Sequence, residues 1–146
     1  MSIKAVIGKL VADAGVAALA ADPAAGGAAN VRVYPNKAPQ GVDRPFVVCR
    51  RIAGAPVLTY AGPTTLSGRR VQVDCYGDSY ADADAMSLAV MAALNGFAGK
   101  VGSTPIDVRG ALLEDIGDDY EQPVHSDEAG IHRVSMEFLV WNDTEG

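Results

Sequence analysis

The chain has little cysteine, few aromatic residues and no long uninterrupted apolar run. Its 146 residues include two cysteines, one tryptophan and 6% aromatic residues. A chain of this length builds one domain with a single sizeable core, so we predict one domain over residues 1–146. No run approaches the roughly 20 apolar residues that a transmembrane helix needs, and we expect no membrane partner.

The scarcity of cysteine and histidine excludes a disulfide-stapled fold and a zinc site. Cys49 and Cys75 both lie in strand-like runs, where a buried free thiol is the default, and we predict that Cys75 is reduced and buried. The only histidines are His125 and His132. Their separation matches no zinc-binding pattern, so we expect no metal.

Basic residues are too few for a general nucleic-acid binder. The chain has 12 Lys and Arg against 18 Asp and Glu, a formal net charge of −6. Binding to phosphates needs clustered cations, which are absent. The apolar segment Met1–Ala21 is interrupted by Lys9 and Asp13, so we interpret it as a cytoplasmic helix and not a secretory signal.

No motif in the chain indicates catalysis. A phosphate-binding GxxxxGK[ST] pattern is missing, and Ser126 beside His125 and Asp127 is adjacency without a triad's geometry. The acidic run Glu114–Glu128 lacks the spacing of a calcium loop. We predict a solvated hairpin tip there, mobile in the isolated subunit, with adventitious divalent-ion binding as the alternative. We therefore expect no cofactor and no enzyme activity.

The stretch Gly68–Gly96 has the clearest pattern in the chain. Alternation places three apolar side chains on one face of a strand: Val71, Val73 and Cys75. After Gly77 the period becomes helical, with Asp78 or Ser79 available as a cap and Asn95-Gly96 as a stop. The pattern predicts a strand that runs directly into a helix, a unit common to many α/β and α+β domains.

The remaining apolar patterns predict a second helix and further strands. The N-terminal helix covers Ile3–Val11, with one further turn over Val16–Ala21. The other strands are predicted at Val31–Tyr34, Phe46–Val57, Ile106–Leu113 and Arg133–Val140. Two helices and about five strands indicate an α+β fold, with a mostly antiparallel sheet and both helices on one face.

Two details of these strands depend on local turns. The strand after Pro45 is apolar on both parities, which indicates either coverage on both faces or a bulge near Gly54. Leu58–Ser67, with Gly62 and Pro63, is predicted to be the long tip of a hairpin. In the fourth strand we expect Ile106, Val108 and Leu112 to share one face.

The order of several short motifs resembles a known family. These motifs are Val33-Tyr34-Pro35, Pro39, Pro45–Val48, Val71–Tyr76 with Asp74, Tyr80, and Gly130–Trp141. Together they cover nearly the whole chain and are similar to the tail completion (tail terminator) proteins of long-tailed bacteriophages and gene transfer agents. The long acidic segment Glu114–Glu128 departs from the family pattern.

The resemblance implies a structural protein that forms a ring, typically of six copies. Such a ring caps the tail tube and joins the tail to the head. The implied partners are further copies of the chain, the tail tube protein and a head–tail connector, and DNA passes through without specific binding. The implied location is a virion or phage-like particle assembled in the host bacterial cytoplasm. The alternatives are another head–tail adaptor or minor tail component and, less favoured, a small cytoplasmic enzyme or ligand-binding domain.

Candidate interaction residues lie on the outward sheet face and in the loops. The outward face carries Arg70, Asp74, Arg133 and Glu137, a mixed-charge surface that suits either water or a salt-bridged subunit contact. In the loops we select Pro39, Gly62 and Pro63. Sheet-edge strands are further candidates, because their unpaired backbone groups accept a neighbour's strand.

Overall fold

The computed structural model describes residues 2–22, 27–39, 44–101, 106–121 and 130–143. Within them the helices are α1 (Ser2–Ala12), α2 (Ala14–Ala20) and α3 (Tyr80–Leu94). The strands are β1 (Ala21–Asp22), β2 (Gly27–Val31), β3 (Val33–Pro35), β4 (Phe46–Thr59), β5 (Gly62–Gly77), β6 (Gly99–Val101), β7 (Ile106–Glu121) and β8 (Ile131–Asp143). None of the described helices has the length and apolarity to span a membrane.

Six of the strands form one sheet in the order β3-β4-β5-β8-β7-β6, while β1 and β2 pair separately. Strand β3 is parallel to β4, and every other neighbouring pair in the large sheet is antiparallel. The predicted α+β class and mostly antiparallel sheet are confirmed. The predicted counts were low, because the described residues also contain the short strand β6 and a third helix.

The core lies between one face of this sheet and the helices. Val71, Val73 and Cys75 of β5 are 0% exposed, as their alternation predicts. On β8 the same role falls to Met136 and Phe138, which pair with Val73 and Val71. The helices complete the core with Leu10, Val16, Met86, Val90 and Leu94. Burial of this apolar face is what holds the sheet and helices together.

Short polar residues set the ends of the helices. The Asp13 carboxylate accepts a hydrogen bond from the Val16 amide at 3.1 Å, which caps α2 and separates it from α1. Ser79 caps α3 by accepting from the Asp82 amide at 3.2 Å. At the other end Gly96 has φ +81°, a conformation that favours glycine. The predicted start and stop of this helix are confirmed.

Strand β4 is buried on both parities over Val47–Cys49 and contains a bulge further along. Val47 and Cys49 are 0% exposed on the core face, whereas Val48, on the opposite face, is 6% exposed. The register shifts between Arg51 and Ala53, which inserts one extra residue. The bulge is therefore confirmed, whereas the second face of β4 has no layer over it in the described residues.

The predicted long tip at Leu58–Ser67 is wrong. Strands β4 and β5 continue to Thr59 and Gly62, which pair with each other, and only Tyr60 and Ala61 turn the chain. Gly62 and Pro63 therefore belong to β5 and not to a loop. Continuous antiparallel pairing outweighs the low strand propensity of glycine and proline, and a second register shift after Pro56 accommodates the mismatch.

The acidic segment is also a strand over its first half. Strand β7 runs to Glu121, which pairs with Ile131, so the predicted loop at Glu114–Glu121 is wrong. Its acidic side chains sit on a paired backbone, because hydrogen bonding to β8 does not depend on side-chain polarity. Residues 122–129 lie outside the described residues, and the mobility of that part stays a prediction.

The facing predicted for Leu112 is wrong for a related reason. The register of β7 against β8 shifts between Val108 and Gly110. This bulge reverses the parity, so that Ala111 is 1% exposed in the core and Leu112 is 53% exposed on the other face. Sequence alternation alone carries no signal for such an inserted residue.

The buried thiols should be chemically inert. Burial, with a smaller contribution from Asp74, raises the pKa of Cys49 to about 12, and burial raises that of Cys75 well above its usual range. Because the thiolate is the reactive form, we expect a thiol reagent at pH 8 to label both residues only as the protein unfolds. Labelling of the native protein is compared with a urea-unfolded sample. Rapid labelling of Cys75 in the native protein would contradict its core position.

A charge placed in the core should unfold the domain. Val73→Asp buries an unpaired carboxylate, and we expect it to lower the free energy of unfolding by several kcal/mol. The control is Leu112→Asp, at an exposed strand position, which should cost about 1 kcal/mol or less. Urea denaturation followed by circular dichroism measures both. Equal losses for the two variants would refute the assigned facing.

Candidate interaction surface

The second face of the large sheet is open. The side chains on β5 that alternate with the core residues point away from the described helices, as do their partners on the neighbouring strands. This open face comprises Phe46, Val48, Arg50, Arg70, Gln72, Asp74, Tyr76, Leu112, Asp115, Asp119, Arg133, Ser135, Glu137 and Leu139. It is rich in charge, whereas the opposite face is apolar.

Asp74 lies at the centre of the open face and is only 5% exposed. Its Oδ1 accepts hydrogen bonds from the Gln72 Nε2 at 2.9 Å and from the Ser135 hydroxyl at 2.6 Å. Arg50 extends the network by donating to the Gln72 Oε1 at 3.0 Å. The network joins β4, β5 and β8, so it stiffens the face without any helix above it.

Arg133 forms a second cluster beside Asp74. Its guanidinium is ion-paired with Asp119 on β7, and its Cζ lies 6.0 Å from the centre of the Tyr76 ring. Interaction with Tyr76, aided by the Asp74 and Asp119 charges, raises the pKa of Arg133 although partial burial lowers it. The Tyr76 ring in turn stacks on Phe46 with centroids 4.8 Å apart.

Arg70 and Glu137 complete the set of predicted residues on the sheet. Arg70 is ion-paired with Glu114, which lies at a second register shift of β7, between Leu113 and Asp115. Glu137 lies in one row across the sheet with Gln72 and Asp115. The structure therefore brings Arg70, Asp74, Arg133 and Glu137 onto one face.

The predicted loop residues do not join this face. Pro39 is exposed in the segment after β3. Gly62 lies at the end of the β4–β5 hairpin and pairs with Thr59. The side chain of Pro63 is not among those that the structure describes. Near Pro39, however, a depression of about 290 Å³ opens onto the face, lined by Lys37, Phe46, Arg50, Asp74, Glu121 and Arg133, among others.

Sequence reasoning missed several partners on this surface. Arg50 was detectable, because it follows Cys49 and so must point away from the core if Cys49 points inward. Glu114 and Asp119 were assigned to a loop, and only the register of β7 reveals that they pair with Arg70 and Arg133. Two bulges in one strand have no signature in this sequence.

The described residues offer binding groups but no reactive constellation. Within the ranges that the structure describes, no group of three or more His, Cys, Asp or Glu could hold a metal. His132 contacts the ring of Tyr120 at 4.7 Å between centroids, and His125 lies outside the described residues. The charges of Asp118 and Asp84 raise the pKa of Tyr80, which keeps its exposed hydroxyl protonated. The chemistry available is therefore recognition of polar and charged surfaces.

Comparison with solved structures finds the same fold in a viral particle. A chain from the virion of a native gene transfer agent (GTA) particle superimposes with a TM-score of 0.68. The match covers 96% of this chain and 92% of that chain at 20% sequence identity. At that identity the likeness establishes the fold. No curated protein matches the sequence.

A family model extends the comparison to the sequence itself. The model described as tail completion protein gp17 matches residues 4–141. This range includes α1 from Lys4 onward, the other two helices and the six-stranded sheet through Trp141. The family comprises structural proteins and not enzymes, in agreement with the resemblance seen in the motifs. The chain belongs to the family of phage tail completion proteins.

Proposed function

We propose that this protein forms a ring, of six copies as the family resemblance implies, that caps the tail tube and joins the tail to the head. The observation that carries the proposal is the open face, whose buried polar network holds charged side chains in place although no described helix covers it. A rigid, mixed-charge face is suited to a subunit contact that excludes wrong partners. Its location would be the tail of a virion or phage-like particle assembled in a host bacterial cytoplasm.

The proposed partners follow from this role. Further copies of the chain would contact one another within the ring, while the tail tube protein and a head–tail connector would bind its two sides. The net charge of −6 suits a conduit, because DNA is repelled by acidic surfaces and would pass without specific binding. Another head–tail adaptor or minor tail component is the second candidate, supported by the virion to which the matching chain belongs.

Loss of the protein tests the role directly. In a producing strain without this gene, we expect over-long tails or tails without heads, because nothing stops growth of the tube. Electron microscopy of purified particles measures tail length and head attachment, and a strain complemented with the wild-type gene is the control. Infectious or gene-transferring particles of normal length from the deletion strain would refute the proposed function.

A charge reversal on the open face should separate assembly from folding. Arg70→Glu breaks an exposed ion pair with Glu114, and such pairs contribute about 0–1 kcal/mol to stability. We expect a nearly unchanged melting temperature but a loss of normal tails. The matched control is Lys9→Glu, on α1 on the helix-covered side of the sheet, which should leave tails normal. Normal tails from Arg70→Glu would remove Arg70 from the interface.

The β4–β5 hairpin provides a third test. Because the hairpin is a paired arm, it must be shortened symmetrically, by replacing residues 57–66 with an Asn-Gly turn between Pro56 and Ser67. The fold should persist, since the described buried positions of β5 lie from Val71 onward, while head attachment or tail length should change. Retained melting behaviour with normal particles would exclude the arm from the contacts.

A further inference from the structure

The two edges of the large sheet have complementary steps. Strand β3 covers β4 only at Val47–Cys49, so among the described strands the rest of β4 has a partner on one side only. Strand β6 likewise covers β7 only at Ile106–Val108. The two short strands therefore extend diagonally opposite corners of the sheet. The short strand that protrudes at one edge therefore matches the uncovered part of the long strand at the other edge.

The residue rows show that the steps are level with each other. Pairing across the sheet places Arg50, Gln72, Glu137 and Asp115 in one row. The edge on β4 opens at Arg50, directly after the last β3 pair. The edge on β7 opens at Asp115, because the end of α3 covers the backbone just before it through a bond from the Leu113 amide to Asn95. A second copy placed beside the first at the same level therefore brings its β4 edge against the uncovered part of β7, without a shift along the strand direction.

Opposite charges occupy these two edges. At the β4 edge, Arg51 has no acidic partner among the described residues, and Arg50 donates only to the neutral Gln72 amide. At the β7 edge, the contacts within the described ranges are a hydrogen bond from the Ile116 amide to Asp115 and one from the Tyr80 hydroxyl to Asp118. Each edge therefore carries charge that the described part of the subunit leaves uncompensated.

The charges are also sorted by face. Arg50 and Asp115 both lie on the open face, whereas Arg51 and Asp118 lie on the parity of the core residues Val71 and Val134. On that second side Arg51 and Lys4 border a groove of about 450 Å³ lined by Ile3 and Ile7. Ile116 is 46% exposed next to Asp118 and is the matching apolar side chain.

We propose that the open β7 edge of one copy docks against the stepped β3–β4 edge of a second copy, with Asp115 facing Arg50 and Ile116 entering the groove. Arg51 and Asp118 add opposite charges further along the two edges. The contact uses two different surfaces of each subunit, which is the heterologous type that closes into rings. It rests on the proposed function for its partner, a second copy of this chain. The apolar side chain adds burial and the charges add register and specificity.

Reciprocal charge reversal tests the contact. The basic-edge variant is Arg50→Glu with Arg51→Glu, and the acidic-edge variant is Asp115→Arg with Asp118→Arg. Each is supplied as the sole copy in a producing strain, and then both are co-expressed. Charge-conserving controls are Arg50→Lys with Arg51→Lys and Asp115→Glu with Asp118→Glu. The amount of this protein per purified particle is measured by quantitative mass spectrometry, and the fold of each purified variant by its melting temperature.

We expect either reversed variant alone to fall about tenfold in amount per particle, because like charges then face each other. Co-expression should restore the wild-type amount, since each edge meets an opposite charge in an alternating ring, and the conserving variants should incorporate normally. Normal incorporation of either reversed variant alone, or no recovery on co-expression of two folded variants, would overturn the edge contact. Failure of the proposed function is a separate outcome. It is seen as normal tails in the deletion strain, and that result does not depend on how much of any variant enters the particles.

Discussion

Burial of a single face of the sheet is the interaction on which the other features depend. The core side of β5 and β8 is 0% exposed at Val71, Val73, Met136 and Phe138 because α1 and α3 pack against it. A six-stranded sheet covered on one side leaves its second side open, and there the polar network around Asp74 and the Phe46–Tyr76 stack order the side chains. The stability of the subunit and its proposed binding surface thus come from opposite faces of the same strands.

The sequence predicted the parts of the fold that depend on regular alternation and on caps. Val71, Val73 and Cys75 identify the core face, and Ser79 and Asn95-Gly96 bound α3. Bulges were beyond reach, because an inserted residue changes the facing of Leu112 without changing composition. The acidic residues of β7 were misassigned for a physical reason. Strand pairing with β8 is long-range, and local charge density says nothing about a partner distant in the chain.

For the surface, the facing of a residue could be predicted where the residue shares a strand with the core. Arg70, Asp74, Arg133 and Glu137 follow from parity alone, whereas the burial of Asp74 depends on Ser135 of another strand. The two sheet edges are the least predictable part. Which residues of β4 and β7 lie level with each other depends on the register of four strands, which the sequence does not give. Family membership adds the biological setting that neither periodicity nor geometry contains.

The position of the two thiols has a consequence for the proposed role in a particle that leaves the cell in which it is made. Cys49 and Cys75 are both free and both enclosed by the core. A structural protein released from a reducing interior into oxygenated surroundings meets peroxide and metal-catalysed oxidation. Enclosure keeps the sulfur atoms from reagents and keeps them protonated. The subunit should therefore retain the same covalent structure, and the same dimensions, before and after release.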